Sequence, residues 1–240
     1  MDFHQSIILS YAEPVTLRHL IHHTGGLVDY MELAEAANIK YTDTLTVGES
    51  LEHLKSHQMA RFPVGTKFEY SNTGYFLLSQ VIEKVSGKSL RQFTKDRIFD
   101  PLNMRATTIV DYYPPTISIA SGYSKDEQGT YEIYESPWEH TGDGAVHTTV
   151  EDLVKRMSEL GSKISPTGEG IIEKEDYAFG LRVREGFNCR YLEYSGRWAG
   201  YSSHFIWFPE EYLSVAVLSN YDEFDSKKYA NEIAKIVIEK

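Results

Sequence analysis

Apolar residues fall into two regimes along the chain. Up to about residue 160 they recur at three- and four-residue spacing in short runs, and from Tyr177 to Asn220 they mostly alternate with polar or small residues. The first regime predicts helices in series. Thr16 can cap a helix over Leu17–His23, which Gly25-Gly26 would close in a left-handed turn. MELAEAA, from Met31, is helix-compatible without a firm boundary. Thr46 and Glu49 form a capping box for a helix through His57 with Val47, Leu51 and Leu54 on one face. RFPVGT, from Arg61, reads as a turn. After it a helix up to Gly87 places Leu77, Val81 and Val85 at four-residue spacing, with Leu78 and Ile82 beside them. Ser89 with Gln92, and Thr148 with Glu151, predict two further capped helices. The first carries Leu90, Phe93 and Ile98 and stops before Pro101. The second carries Val150, Leu153, Val154, Met157 and Leu160.

The second regime predicts a sheet. Tyr177, Phe179, Leu181 and Val183 alternate as one strand, followed by strands at Arg190–Ser195, Ser203–Phe208 and Tyr212–Asn220 in an antiparallel meander. Residues 162–175 read as a linker, and Ser226–Lys240 as an amphipathic helix with Ala230, Ile233, Ala234 and Val237 on its packing side. Between the regimes lies a tyrosine-rich stretch, with short strands expected around Ile117–Tyr123 and Tyr131–Tyr134. The expected architecture is α+β: a mainly helical lobe over 1–165 and an antiparallel sheet lobe with a C-terminal helix over 166–240. One strand sits awkwardly in it. LSVAVL (Leu213–Leu218) is apolar on nearly every residue, as suits a central strand, yet no later strand exists to pair with its second edge.

Composition narrows the function. With 41% hydrophobic and 25% charged residues in 240, the chain is ordinary globular material. A formal charge of −11 excludes a nucleic-acid binder, and no stretch reaches membrane-spanning length. Cys189 is the only cysteine, so no intramolecular disulfide forms. The opening MDFHQSIILSYAEP has a three-residue apolar run and no basic region, so as written the chain carries no export signal and reads as cytoplasmic. No cofactor is implied.

The densest candidate chemistry is Tyr70-Ser71-Asn72, at the mouth of the helix after the RFPVGT turn. A phenol and a carboxamide two residues apart can act on one substrate. Equally, Ser71 or Asn72 can be a plain N-cap. His19 and His23 would stand at four-residue spacing on a helix, which is compatible with a metal pair. Their place in a last turn, at the negative end of the helix dipole, explains them more simply.

Four segments together resemble the serine β-lactamase and penicillin-binding-protein family, which includes class C β-lactamases, D-alanyl-D-alanine carboxypeptidases, D-aminopeptidases and related esterases. VTLRHLIHHTGGL resembles its helix and His-Thr-Ser-Gly turn. Tyr70-Ser71-Asn72 resembles its Tyr-x-Asn motif, followed by a similar helix. TGDGAVHTTVEDLVKRM resembles its small-residue loop and helix, and YSGRWAGYSSHFIWFPEEYLSVAVLSN its third-motif strand and hairpin. The resemblance implies a β-lactamase/transpeptidase-like fold and acyl transfer to water from an ester, amide or β-lactam, with a small acyl substrate between the lobes. It implies Tyr70 as acid/base partner and Asn72 as orienting amide. Tyr194, Ser195 and Gly196 would be the third motif, with the Arg197 amide holding the oxyanion.

Two departures qualify this. The family needs a serine followed three residues later by lysine; no serine or threonine here has one, and no Gly-x-Ser-x-Gly elbow replaces it. An ordinary phenol of pKa about 10 is only about 0.1% ionised at pH 7, so Tyr70 without that lysine is expected to do little alone. The chain therefore reads as the C-terminal part of such a hydrolase, inactive as it stands, with the strands before the motif missing and the bare sheet edge open to a second copy or a complementing N-terminal segment. A non-catalytic ligand-binding protein of the same fold is the alternative. In addition, Tyr194 stands where the family has lysine or histidine, which weakens carboxylate recognition unless Arg197 compensates. The parent family is often exported, so the compartment of such a parent stays open.

Overall fold

The computed structural model describes residues 14–57, 59–111, 118–161 and 177–238; the expected linker at 162–175 and the position of Ile117 lie outside them. The chain forms two compact units. One comprises Met1–Leu90, Val110–Pro114 and Ser136–Ala145, and the other Arg91–Ile109, Pro115–Glu135 and Val146–Lys240.

The first unit is built on four helices: α1 (Leu17–Ile21), α2 (Tyr30–Ala36), α3 (Val47–Ser56) and α4 (Asn72–Ser86). Both bonds of the Thr46–Glu49 capping box are formed at α3. Thr16 caps α1 as expected, but α1 ends two residues early. His23, not a glycine, takes the left-handed conformation (φ 52°) and closes a Schellman turn, in which the Thr24 N–H donates to the His19 carbonyl at 2.9 Å. His19 and His23 therefore do not share a helical face. Gly26 (φ 65°) is needed for another reason, since a side chain there would run into the Phe62 carbonyl oxygen. The RFPVGT turn forms, with the Thr66 N–H donating to the Pro63 carbonyl at 3.2 Å. On α4 the buried residues are Thr73, Gly74, Phe76, Leu77 and Ser79; of the expected stripe Leu77 is buried, Leu78, Val81 and Ile82 are half-buried, and Val85 is 70% exposed. The reason is a close crossing with α1: a Cβ on Gly74 would stand 3.0 Å from the Leu20 carbonyl oxygen, which turns the Gly74 side of α4 inward.

The second unit opens within α5 (Leu90–Thr94), at Arg91, and α5 passes into a π-helical turn over Lys95–Phe99 before Pro101 ends it. Two small antiparallel pairs follow, β1 (Thr108–Ile109) with β4 (Val146–His147) and β2 (Tyr123–Lys125) with β3 (Tyr131–Ile133). Helix α6 (Val150–Gly161) starts one residue later than expected. Thr149 accepts the Asp152 N–H at 3.3 Å, whereas Thr148 is bonded to Thr107 at 2.7 Å.

The main sheet is antiparallel in the order β5 (Tyr177–Ala178), β6 (Leu181–Gly186), β7 (Cys189–Trp198), β8 (Tyr201–Phe208) and β9 (Leu213–Ser219). The stretch expected as one strand from Tyr177 is a hairpin. Phe179 (φ 53°) and Gly180 (φ 80°) form its two-residue loop, and Phe187 (φ 51°) with Asn188 (φ 58°) forms the next. A phenylalanine in the first position of such a loop hides the turn from a reading by residue type. Helix α7 (Ser226–Ile238) packs on β8 and β9 through Ala230 and Ala234, which meet Ile206, Phe208 and Val215, while Ser226 Oγ lies 3.0 Å from Ser202 Oγ. Ile233 and Val237, expected on that side, are each 43% exposed. The opposite face buries Val183, Leu192 and Trp207. Among the described residues β9 has a ladder partner only in β8 and lies at an edge of the sheet, with only Val215 along it buried.

Candidate active site

Tyr70 and Asn72 stand together where the RFPVGT turn hands the chain to α4. The approach is fixed by backbone bonds to the end of α1. The Gly65 N–H donates to the Thr24 carbonyl at 2.8 Å and the Glu69 N–H to the His23 carbonyl at 2.9 Å. His23, turned by its left-handed backbone, accepts the Ser71 N–H on Nδ1 at 3.1 Å, and its ring lies 4.5 Å from that of Tyr70. One ring nitrogen of each histidine read as a metal pair is thus bonded to the backbone, His19 Nδ1 accepting the Thr16 N–H at 3.2 Å. Among the described residues no group of three His, Cys, Asp or Glu side chains is arranged to hold a metal. Tyr70 itself is 40% exposed.

Ser71 occupies the N-cap position of α4 but makes no capping bond, and its buried Oγ has no hydrogen-bond partner among the described residues. The cap is Asp29, which the sequence reading missed. Its Oδ2 accepts the Asn72 backbone N–H at 2.7 Å and the Asn72 carboxamide Nδ2 at 3.0 Å, while its Oδ1 accepts the Met31 N–H at 3.0 Å and caps α2. Asp29 lies 43 residues before Asn72, and only its place three before Glu32 at a helix start signalled it. With Nδ2 turned to Asp29 and to Met31 Sδ at 3.2 Å, Asn72 keeps Oδ1 as its acceptor end. That is the atom an ammonium or substrate N–H would meet.

Behind this corner, the Tyr30 N–H donates to Thr73 Oγ1 at 2.8 Å and the Tyr30 hydroxyl donates to Asp143 Oδ2 at 2.7 Å. Asp143 belongs to the small-residue loop. Burial pushes its carboxyl up to about 7, only partly offset by the Tyr30 bond. His140 stacks on Tyr30 at 4.4 Å and is held near 4 by burial, with Nε2 2.7 Å from Ser50 Oγ.

The third-motif residues lie on β7 in the second unit. β6 covers that strand as far as Glu193, and from Tyr194 to Trp198 the registered strand neighbour is β8. Gly196 faces Ser203, whose Oγ a Cβ would strike. Arg197 is exposed, and its Nε donates to the Asp222 carbonyl at 2.9 Å, so its guanidinium is partly committed. Tyr194 is half-buried. Ser195 is exposed, with Oγ 2.8 Å from Nδ1 of the buried His204. On the same face Glu193 is 4% exposed, and its carboxyl is held down to about 2 by His204, Arg184 and Lys227. Neither His204 nor Glu193 was singled out from the sequence, where they stand in unremarkable alternation.

Comparison with known proteins identifies the family. The beta-lactamase family model matches residues 9–238. Penicillin-binding protein 4* of Bacillus subtilis (strain 168) is 29% identical over 87% of this chain and 52% of its own length. A D-aminopeptidase of Cereibacter sphaeroides is 23% identical over 86% of this chain and 42% of its own. The chain thus spans about half the length of these curated relatives. Among solved structures, an octameric penicillin-binding protein homologue from Pyrococcus abyssi superposes with a TM-score of 0.78 at 26% identity, over 95% of this chain and 56% of that one. A D-stereospecific amidohydrolase from Streptomyces sp. shares the fold, with a TM-score of 0.73 at 24% identity over 91% of this chain and 71% of its own. Fold, motif order and a family match running almost end to end lead to one assignment: this chain belongs to the beta-lactamase family of serine hydrolases, with penicillin-binding proteins and D-aminopeptidases as its relatives.

Proposed function

We propose that the chain provides the Tyr-x-Asn and third-motif parts of an acyl hydrolase, in which Tyr70 exchanges the proton of a nucleophilic serine and Asn72 orients its partners. The observation that carries this is the clamp on Asn72. Asp29 takes its backbone and side-chain N–H together, so the carboxamide oxygen is presented in a fixed direction before any ligand arrives. Gly196 and the Arg197 amide, on the part of β7 beyond its β6 partner, would hold the oxyanion. The substrate class is an ester, amide or β-lactam. An amide beside a D-amino acid is supported by two relatives named for such activity.

No serine or threonine in the 240 residues is followed three positions later by lysine. The chain by itself is therefore expected to turn over little, and a polypeptide supplying Ser-x-x-Lys would complete it. The same observation favours a second reading, binding of such ligands without turnover. Incubation of the purified chain with nitrocefin, p-nitrophenyl acetate and D-alanine p-nitroanilide tests the assignment. Rates should stay within about twofold of buffer. Turnover that persists in Tyr70→Phe would overturn the role given to Tyr70.

A further inference from the structure

We propose that His204 and Glu193 fix the direction of the Ser195 hydroxyl hydrogen, so that Ser195 meets a ligand as a hydrogen-bond acceptor and favours an ammonium or amide N–H over a carboxylate. The inference rests on the reading of β7 as a ligand-facing strand and goes beyond it, since neither His204 nor Glu193 belongs to the motif.

The argument is one of proton accounting. Glu193, Ser195 and His204 share one face of the sheet, because Glu193 and Ser195 are two apart on β7 and Ser195 lies directly opposite His204 on β8. Glu193 is buried and ionised. Arg184 Nε reaches its Oε1 at 2.9 Å and Lys227 Nζ, from α7, reaches the same oxygen at 3.3 Å. Its other oxygen, Oε2, lies 3.5 Å from His204 Nε2. That is long for a hydrogen bond, and no described residue offers this buried nitrogen a closer partner. A carboxylate presents only lone pairs, so a bare Nε2 would set lone pair against lone pair between two buried side chains. The hydrogen of the neutral ring therefore sits on Nε2. Nδ1 is then an acceptor, and the contact of 2.8 Å with Ser195 must be made by the serine hydrogen. A doubly protonated ring would place a third cation around one carboxylate that Arg184 and Lys227 already face.

Serine has one hydrogen and two lone pairs. With the hydrogen committed inward, the exposed Ser195 shows a ligand only its lone pairs. A carboxylate would meet a second acceptor there, and a site that offers only an acceptor discriminates strongly against a group with no hydrogen to give. Tyr194 brings no positive charge to redress this, and Arg197 Nε is bonded to the Asp222 carbonyl. The ligand class is a compound with N–H at this point, such as the amide or free amine of an amino-acid derivative.

Long-range 1H–15N correlation on the labelled chain reads the His204 tautomer without ligand or turnover. The inference expects Nε2–H with a bare Nδ1; Nδ1–H, or a doubly protonated ring at pH 7.5, overturns it. Titration with propionamide and with propionate, which has no hydrogen to donate, followed at the Ser195 amide, should give half-saturation at about tenfold lower concentration for the amide. Equal response, reversed preference, or no response to either overturns it as well. Ser195→Ala should bring the two ligands within about twofold. Glu193→Gln can donate to Nε2, moves the ring hydrogen to Nδ1 and should shift preference toward the carboxylate. If that variant does not fold, the tautomer and Ser195→Ala still decide. Failure of the Tyr70 role would be seen as turnover surviving Tyr70→Phe, which leaves these readouts unchanged.

Discussion

Asp143 concentrates an electrostatic cost in one side chain. Its ordinary pKa of 3.8 is raised to about 7 in the folded chain, mainly by burial. Between those values the unfolded chain has released the proton that the folded chain still holds. Stability therefore falls as pH climbs from about 4 to about 7, and the penalty persists above. Asp143→Asn, whose amide oxygen can still accept from Tyr30, should be more stable than the parent by about 1–3 kcal/mol at pH 8 and equal to it at pH 4. Urea melts across that range check this, and a parent stability flat or rising from pH 4 to 7 refutes it. Glu193 acts in the other direction in a separate window, since its depressed pKa of about 2 adds stability that is lost only as pH falls below about 4.5. At this scale the sequence made Tyr70 and Asn72 visible, because a phenol and an amide at a helix mouth are a local pattern. Asp29 and His204 stayed hidden, because what defines them is a partner brought near by the fold.

Elements were legible where their signal is local. The Thr46–Glu49 box and the four-residue spacing on α4 announced real helices, but neither told which face would be buried. On α4 the crossing under Gly74 decided that, and on α7 the small residues Ala230 and Ala234 let the helix lie close to the sheet. Hairpins were the weakest point. The loops Phe179-Gly180 and Phe187-Asn188 demand positive φ at both positions, which phenylalanine resists. Phe187 packs its ring 5.5 Å from that of Phe208, whereas Phe179 is 59% exposed. Phe179→Asn installs the residue pair preferred in such a loop and should raise stability by about 0.5–1 kcal/mol, visible as a higher thermal midpoint. A lower midpoint would mean that the ring contributes packing worth more than the backbone relief.

At the scale of the whole molecule, the sequence reading foresaw an α+β protein of this family and a bare last strand, since period and motif order survive without knowledge of contacts. It could not foresee that α7 would add to the exposed surface of the same unit. Beside the β9 edge, Leu218 is 36% exposed, and on α7 Ile233, Ile236 and Val237 are 43%, 64% and 43% exposed. An open strand edge and an apolar helix side left exposed each favour association. Light scattering should show the chain self-associating as concentration rises into the hundreds of micromolar, and Leu218→Lys with Ile236→Lys should return it to a monomer. A parent chain that stays monomeric throughout that range refutes the expectation.

One carboxylate, Asp29, closes the first turns of both α2 and α4. Fraying of either start strips the other of its acceptor, so the two ends share a single opening equilibrium. Hydrogen exchange should report this as equal protection of the Met31 and Asn72 amides, falling together by about tenfold or more in Asp29→Ala. Exchange at two separate rates in the parent would show the ends to be independent. The orienting amide would then be as steady as the helix cap that holds it, and its readiness for a ligand would be set by folding energetics well before any chemistry begins.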